Sequence, residues 1–335
     1  MPRAHDKPSI RDVAALAGVS YQTVSRVLNE PSLVRAETLQ RVQGAIEELG
    51  YRPSRAARSL ARNDSMTIGV VSVHAALVGP NLTALAIDEG ARERGYSTAA
   101  VTVRDDRPES LTAAREHLLG LGVDGVVVVA WSEASLELAD SFASDLPTSV
   151  VVEGPVSPGV ARARSDHRGG ARDAVSALVD SGRTCIAHLA GPDDWLEAQA
   201  RRAGWAAAAG DAAGPAIVAG WDPAGGYRAM AEALEAEPRI DAVFAANDQV
   251  AVGALKRLGE LGRVVPDDVA LVGYDDSDIA PYLGVALASV RQPFTEVGSA
   301  AIDLLFEVMG GAAPSERVLA STFIWRDSAG PRHST

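Results

Sequence analysis

The sequence predicts an α/β protein with a small helical module at its N-terminal end. From Met66 onward, short apolar runs of strand composition alternate with helical patterns, which is typical of parallel sheets covered by helices on both faces. Residues 9–29 instead contain two short helical patterns separated by a tight turn. The 335 residues are enough for two or three ordinary domains, so one chain can hold both parts.

Composition and charge narrow the class of protein. The chain is 47% hydrophobic and 22% charged, which is typical of a globular protein with a sizeable core. Its formal net charge is −13, yet residues 1–62 hold 10 Lys and Arg against 6 Asp and Glu, whereas the remaining residues hold 21 against 38. This asymmetry favours a polyanion-binding module joined to an acidic body, the alternative being surface charge that drifts along the chain.

Several classes of protein are disfavoured by what the sequence lacks. Cys185 is the only cysteine, so we interpret it as a small buried apolar residue rather than a disulfide or zinc ligand. The sequence has no Walker loop, no GxGxxG motif that follows a predicted strand and no HExxH motif, and no apolar run is long enough for a membrane span. The N-terminal MPRAHDKPSIRD has no apolar secretion core. We therefore expect a cytoplasmic protein with no cofactor, no metal and no membrane partner.

The N-terminal segment carries the start and stop signals of three helices. Ser9 is a suitable N-cap with Asp12 three residues later, and Gly18 can take the left-handed conformation that ends a helix. Ser20 is the predicted N-cap of the second helix. AETLQRVQGAIEELG predicts a third helix that stops at Gly50. Helix-turn-helix modules are of this size.

The outer face of the second helix is polar. Its members are Tyr21, Gln22, Ser25 and Arg26. A DNA major groove accepts one helix, in which Gln can pair with adenine and Arg with guanine. Ser20, Thr23 and the amides at the helix start suit phosphates. The face therefore favours double-stranded DNA as a partner, the alternative being an ordinary solvated face on a small helical bundle.

The stretch IRDVAALAGVSYQTVSRVLN closely resembles the DNA-binding headpiece of the lactose-repressor (LacI) family, and SYQTVSRV is closest to the recognition helix of the member that gives the family its name. The resemblance implies that Tyr21, Gln22 and Arg26 read bases. It places four further side chains at or near the DNA backbone: Ser20, Thr23, Ser25 and Asn29. One departure is Arg35, where the family usually has a small helix-capping residue.

The segment RPSRAARSLARNDS follows the headpiece. Its composition alone is that of a flexible linker, because it is too short to form a stable isolated helix. The family resemblance implies instead a hinge helix that folds on DNA and wedges Leu60 into the minor groove, bending the duplex.

In the acidic body, polar side chains follow the ends of predicted strands. CIAHLAG is followed by a helix with Arg201, DAVFAA by Asn247, and DVALVGY by Asp275. Ligands bind beyond the carboxyl ends of parallel strands, so these groups suit a hydroxyl-rich ligand, with Trp221 as a stacking surface. Alternatives remain at each position: a helix cap at Asn247, a turn or weak metal pair at Asp275 and Asp276, and a surface ion pair at Arg201.

The family resemblance extends through this body. LAGP, AQARRAGW, AND and GYDD are similar to the family's periplasmic-binding-protein-like core, in which an effector lies between two lobes. It implies effector contacts from seven residues: Leu77, Pro80, Arg201, Trp221, Asn247, Asp275 and Gln292. Five positions on the first-lobe side depart from the family pattern: Val73, Asp105, Val129, Glu153 and Arg164. The second lobe thus resembles a galactoside site, whereas the first lobe does not. We therefore expect a sugar or glycoside effector, with a β-galactoside as one candidate.

The domain organisation follows from the same resemblance. We expect a headpiece over residues 1–52, a hinge over 53–65 and an effector-binding and dimerisation core over 66–335. The core is expected to have two lobes linked by three crossings, the first lobe from about 66–165 and 293–335, the second from about 166–292. No leucine heptads end the sequence, so a homodimer is expected.

These expectations define a ligand-controlled transcriptional repressor. Two rivals share parts of the pattern. A sugar-capture receptor for transport has the same core but needs a signal peptide and has no use for residues 9–50. An enzyme of carbohydrate metabolism would use Asp275, Asp276 and Asp278, but an orienting His or a second carboxylate at a set spacing is not evident.

Overall fold

The computed structural model describes residues 8–29, 31–51, 64–73 and 78–331, which form two compact units divided after Met66. In its described residues the N-terminal unit holds three helices and a short 3₁₀ turn at Pro31–Leu33. The helices are α1 (Ile10–Ala17), α2 (Tyr21–Asn29) and α3 (Ala36–Leu49). Val13, Val24 and Val42, one from each helix, are fully buried at its centre.

The predicted helix caps of this unit are confirmed. Ser9 and Asp12 form a capping box, in which the Asp12 carboxylate accepts from the Ser9 amide at 2.8 Å. Gly18 ends α1 with φ of 62°, a left-handed conformation that glycine takes without strain. The amide of Thr23 donates to Ser20 Oγ at 3.2 Å. Arg35 precedes α3 without a side-chain cap, as its departure from the family pattern predicts.

The second unit contains twelve strands and eight helices within the described residues. The strands are β1 (Thr67–Val73), β2 (Ser97–Val103), β3 (Gly125–Val129), β4 (Thr148–Val151), β5 (Ala161–Ser165), β6 (Ile186–Ala190), β7 (Ala213–Val218), β8 (Ala242–Ala245), β9 (Ala270–Asp275), β10 (Ala288–Arg291), β11 (Glu316–Leu319) and β12 (Thr322–Ile324). The helices are α4 (Val78–Glu93), α5 (Pro108–Leu121), α6 (Glu133–Ala143), α7 (His167–Asp180), α8 (Leu196–Ala209), α9 (Pro223–Ala236), α10 (Asp248–Glu260) and α11 (Phe294–Met309). The alternation confirms the predicted α/β class.

The strands form two six-stranded sheets, one in each lobe. The first sheet has the order β11-β5-β4-β3-β1-β2, with every pair parallel. The second has the order β12-β10-β9-β8-β6-β7, parallel except for the β10–β12 pair. The central strand β3 is buried along its whole length, as expected of a sheet covered on both faces.

The chain crosses between the lobes three times. It enters the second lobe after β5, returns to the first lobe after β10, and re-enters the second lobe between β11 and β12. The expectation that all of residues 293–335 belong to the first lobe is therefore wrong for residues 322–329, which lie with the second sheet. The reason is physical, since β12 pairs with β10 while Phe323 and Trp325 pack against the apolar core of the second sheet.

Apolar clusters lie on both faces of each sheet and hold the strand ends in place. Clusters around Phe142 and Leu305 cover the first sheet, and clusters around Met230 and Phe244 cover the second. No helix within the described ranges has the length and apolar character needed to cross a membrane.

Candidate effector cleft and nucleic-acid interface

Helix α2 separates its apolar and polar residues cleanly. Val24 and Val27 are buried against the other helices, whereas Tyr21, Gln22 and Arg26 are exposed. Tyr21 has 54% of its surface exposed, so its ring and hydroxyl can be reached by a partner. The three predicted base-reading side chains therefore share the free face of one helix.

The other predicted DNA contacts lie at the start of α2 or beyond what the structure describes. Ser20 is exposed, and its hydroxyl lies 2.9 Å from that of Thr23, so both hydroxyls sit at the start of the helix, a position that suits a phosphate. Ser25 is half-buried. Asn29 ends α2, but its side chain falls outside the described part, as does the whole of Leu60.

A cavity of about 600 Å³ lies in the second unit, between the two lobes. Its walls come from the carboxyl ends of strands in both sheets, as the rule for parallel sheets predicts. Six of the seven predicted effector contacts line it: Pro80, Arg201, Trp221, Asn247, Asp275 and Gln292. The seventh, Leu77, falls outside the described residues.

Arg201 is the buried cation of the cleft. Its guanidinium lies over the ring of Tyr274 at 4.0 Å and donates to the carbonyl oxygen of Ala246. Its Nε donates to His167 Nδ1 at 3.3 Å, so His167 acts as an acceptor there. Burial and the positive charge of Arg201 lower the pKa of His167 well below its ordinary value, which keeps the imidazole neutral. Arg201 is thus fixed in position before any ligand arrives.

Asp275 ends β9 at the base of the cleft. Its Oδ1 accepts from Gln292 Nε2 at 2.7 Å and lies 3.6 Å from Arg201 Nη2. Burial raises the pKa of Asp275 to about 6, with the charge of Arg201 acting in the opposite direction. Its φ of 101° is a conformation that non-glycine residues rarely adopt, and such strain concentrates at binding sites.

Asn247 caps a helix, which is one of the alternatives for its sequence position, and its side chain also lines the cleft. Its Oδ1 accepts from the Val250 amide at 2.8 Å and caps α10. Its Nδ2 donates to the carbonyl oxygen of Trp221 at 3.1 Å and thereby holds the β7–α9 loop against the cleft. The Trp221 ring packs against Gly191, where a Cβ would approach it to 2.5 Å. A glycine is therefore needed at this close approach.

Asp276 belongs to the framework, in agreement with the structural alternative for this residue. Its side chain is 3% exposed and forms ion pairs with Arg326 at 2.6 Å and Arg291 at 2.7 Å. The buried Asp248 accepts from the hydroxyl of Ser289 at 2.6 Å beneath the same turn. No group of His, Cys, Asp and Glu within the described ranges is arranged to hold a metal ion.

The first-lobe wall contains three of the positions that depart from the family pattern, Val129, Glu153 and Arg164. Arg164 Nη1 lies 3.1 Å from Glu153, and Arg164 Nε lies 2.9 Å from Glu316. Val129 also lines the cleft. Asp105 does not line it and forms an ion pair with Arg107 at 2.8 Å. The guanidinium of Arg164 is therefore already neutralised by carboxylates of its own lobe.

Sequence reasoning missed two cleft residues at the start of α8. Trp195 and Glu197 line the cavity beside Arg201, although the segment that contains them was recognised only for its arginines. Glu197 lies four residues before Arg201, which places both on one helix face, and this spacing is the signal that could have found it. Burial raises the pKa of Glu197 to about 7.

A helix-turn-helix headpiece and a two-lobed core with a polar cleft, carried by one chain, define a ligand-responsive DNA-binding transcriptional regulator. Two family profiles match the chain. The profile described as bacterial regulatory proteins, lacI family, matches residues 9–54, and the periplasmic binding protein-like domain matches residues 175–329.

Relatives extend over nearly the whole chain. The HTH-type transcriptional repressor PurR of Vibrio parahaemolyticus is 33% identical, over 92% of this chain and 94% of that protein. The lactose operon repressor of Escherichia coli is 31% identical over 91% and 86%, and its ribose operon repressor is 33% identical over 89% and 92%.

The solved Lac repressor dimer bound to operator and the anti-inducer ONPF has a TM-score of 0.88 at 30% identity, covering 97% and 99% of the two chains. A transcriptional regulator CelR–cellobiose complex has a TM-score of 0.73 at 31% identity, covering 96% and 99%. The chain therefore belongs to the lacI family of bacterial regulatory proteins and is a ligand-responsive DNA-binding repressor.

Proposed function

We propose that this repressor controls carbohydrate-utilisation genes and that a sugar or glycoside inducer releases it from a palindromic operator. The observation that carries the proposal is the cleft floor, where Arg201, Asn247, Asp275 and Gln292 surround one cavity beside Trp221. Guanidinium, amide and carboxylate groups exchange hydrogen bonds with hydroxyls, and an indole stacks on the apolar face of a sugar. Pro80 and, by the family resemblance, Leu77 contribute apolar contacts from the first lobe.

The comparisons support this choice of ligand class. The names of two relatives assign them to the lactose and ribose operons, and one structural neighbour is a complex with cellobiose. In this chain the first-lobe wall carries an ion pair between Arg164 and Glu153, two positions that depart from the family pattern. For this reason a β-galactoside is only one candidate among sugars and glycosides.

The mechanism follows from linkage. A homodimer presents two headpieces to two half-sites, with Tyr21, Gln22 and Arg26 reading bases in the major groove. Ser20, Thr23, Ser25 and Asn29 contact the backbone, and the hinge over residues 53–65 inserts Leu60 into the minor groove. The effector favours a different relative orientation of the lobes, and its differential affinity for the two states is the free energy that weakens operator binding.

The proposal includes a cytoplasmic location and no catalytic reaction, since the relatives are transcriptional repressors. A gel shift with an inverted-repeat duplex tests it, using glucose, galactose, lactose and cellobiose as candidate effectors. We expect at least one sugar to lower operator affinity about tenfold or more, as typical of allosteric coupling, and to be recovered unchanged. Sugar turnover would favour the enzyme instead, and a chain with no preference for any inverted repeat would overturn the regulator.

A further inference from the structure

The start of α8 connects the two lobes at the edge of the cleft. The Leu196 amide donates to the carbonyl oxygen of Trp131 at 2.9 Å, and Trp195 packs against the apolar cluster of the first lobe. The Trp195 ring centroid lies 6.4 Å from that of Trp131 and 5.3 Å from that of Trp221. A series of three indoles therefore runs from the first-lobe core to the cleft floor.

The two indoles that line the cavity are inclined to each other. The ring planes of Trp195 and Trp221 meet at 66°. A pyranose ring stacks with its flat face parallel to an indole, so two indoles at this angle cannot both stack on one face of one ring. Each can stack on a different ring of the same ligand.

Glu197 supplies an unfilled acceptor in the same part of the cleft. Its Oε2 is buried and has no hydrogen-bond partner among the residues that the structure describes. A buried acceptor without a partner is costly, and a ligand hydroxyl that donates to it removes this cost. Burial raises the pKa of Glu197 to about 7, with the charge of Arg201 acting in the opposite direction.

The charges of the cleft exclude an anionic ligand. Arg201 is compensated by Asp275, and Arg164 is shared between Glu153 and Glu316. Both cations are thus already matched, whereas Glu197 and Asp222 add further carboxyl groups to the lining. A phosphate or carboxylate on the ligand would find no free guanidinium in the described cleft and would face these acids.

We propose that Trp195 and Glu197 form a second-ring subsite and that the effector is an uncharged glycoside of two rings, not a free hexose or a sugar phosphate. The first ring occupies the floor formed by Arg201, Asn247 and Asp275, and the second stacks on Trp195 and donates a hydroxyl to Glu197 Oε2. This inference rests on the proposed function, because it assigns rings within the same cleft.

Calorimetric titration of the full chain tests the subsite. The ligands are glucose, galactose, cellobiose, lactose and glucose 6-phosphate. We expect one disaccharide to bind at least tenfold more tightly than its component hexose, with no binding of glucose 6-phosphate. In Glu197→Met, which has no carboxyl acceptor, and in Trp195→Ala, the ratio of disaccharide to hexose affinity falls towards one. Asn247→Ala is the contrasting variant, in which affinity for both ligands falls.

The outcomes separate the two proposals. If a hexose binds as tightly as every disaccharide, or if the ratio survives in both variants, the second-ring subsite is wrong while the sugar-responsive repressor stands. If no saccharide binds, both are wrong. Trp195→Ala removes an indole that packs against the first lobe, so Glu197→Met, which keeps the length of the side chain, decides the outcome if that variant fails to fold.

Discussion

Gln292 donates a 2.7 Å hydrogen bond to Oδ1 of Asp275, the same oxygen that lies 3.6 Å from Arg201. The amide follows β10 and the carboxylate ends β9, so neighbouring strands of the second sheet hold the pair. The hydrogen bond from Gln292 fixes the carboxylate through Oδ1 and does not involve Oδ2. A carboxylate oriented in this way can accept from a ligand without rearranging first, which reduces the entropy cost of binding.

The first prediction concerns this carboxylate. Asp275→Asn removes the charge while keeping the shape, so the proposed sugar loses a charge-assisted hydrogen bond and Arg201 loses its counter-charge. We expect effector affinity to fall about tenfold or more, with operator affinity in the absence of effector retained. Titration of operator release by sugar measures this. Asp278→Asn is the matched control, because Asp278 is exposed three residues away and does not line the cleft.

The second prediction concerns the free face of α2. The double change Gln22→Ala and Arg26→Ala should abolish the preference for operator over unrelated duplex, while a salt-dependent background affinity remains. Competition gel shifts at two salt concentrations measure both quantities. The double change Arg41→Ala and Gln43→Ala removes the same residue types from exposed positions of α3 and should retain discrimination. If discrimination survives in the α2 variant, other residues read the bases.

Much of the fold could be predicted because its strands are buried on both faces. GVVVV in β3 and AVFA in β8 are uninterrupted apolar runs, which distinguishes them from the intervening helices. β5 has the sequence ARARS and alternates charged with buried residues, so composition alone does not mark it as part of a parallel sheet. β7 is an edge strand that includes Gly and Pro, so its composition does not predict a strand either.

The sequence predicts the cleft residues that lie at strand ends. It does not predict those that contacts between distant parts of the chain bring to the cleft. Asn247 and Asp275 directly follow β8 and end β9, so the strand-end rule located them. Trp195 lines the cleft because Leu196 bonds to Trp131 of the other lobe, a pairing that no local pattern signals. The sequence gives no position for the third crossing for the same reason, since the pairing of β12 with β10 is a tertiary choice.

The third prediction concerns pH. Burial raises the pKa of Glu197 from an ordinary 4.5 to about 7, so the folded state holds a proton that the unfolded state releases between these values. The free energy of unfolding should therefore fall as pH rises from about 4.5 to about 7. Glu197→Gln should weaken this slope, although Asp275, with a pKa raised to about 6, retains part of it.

Urea unfolding of the effector-free protein at pH 5, 6 and 7 measures the slope. Glu232→Gln serves as the matched control, because Glu232 is exposed on α9. A Glu197→Gln variant whose stability has the same pH dependence as the parent protein would show that this carboxyl is ionised at low pH in the folded state.

The fourth prediction concerns the turn behind the cleft. Asp276 is 3% exposed and pairs with Arg326, which is 15% exposed. Asp276→Asn tolerates the left-handed φ of 51° but removes the charge, leaving Arg326 buried without a counter-charge. We expect the free energy of unfolding of the core to fall by about 2 kcal/mol or more. Lys256→Ala breaks an exposed pair with Glu260 and should cost less than about 1 kcal/mol. Because Asp276 adjoins Asp275, sugar affinity should also fall in Asp276→Asn, whereas it should remain at the parent value in Lys256→Ala. If the two variants are equally stable, the Asp276 ion pairs do not hold this turn.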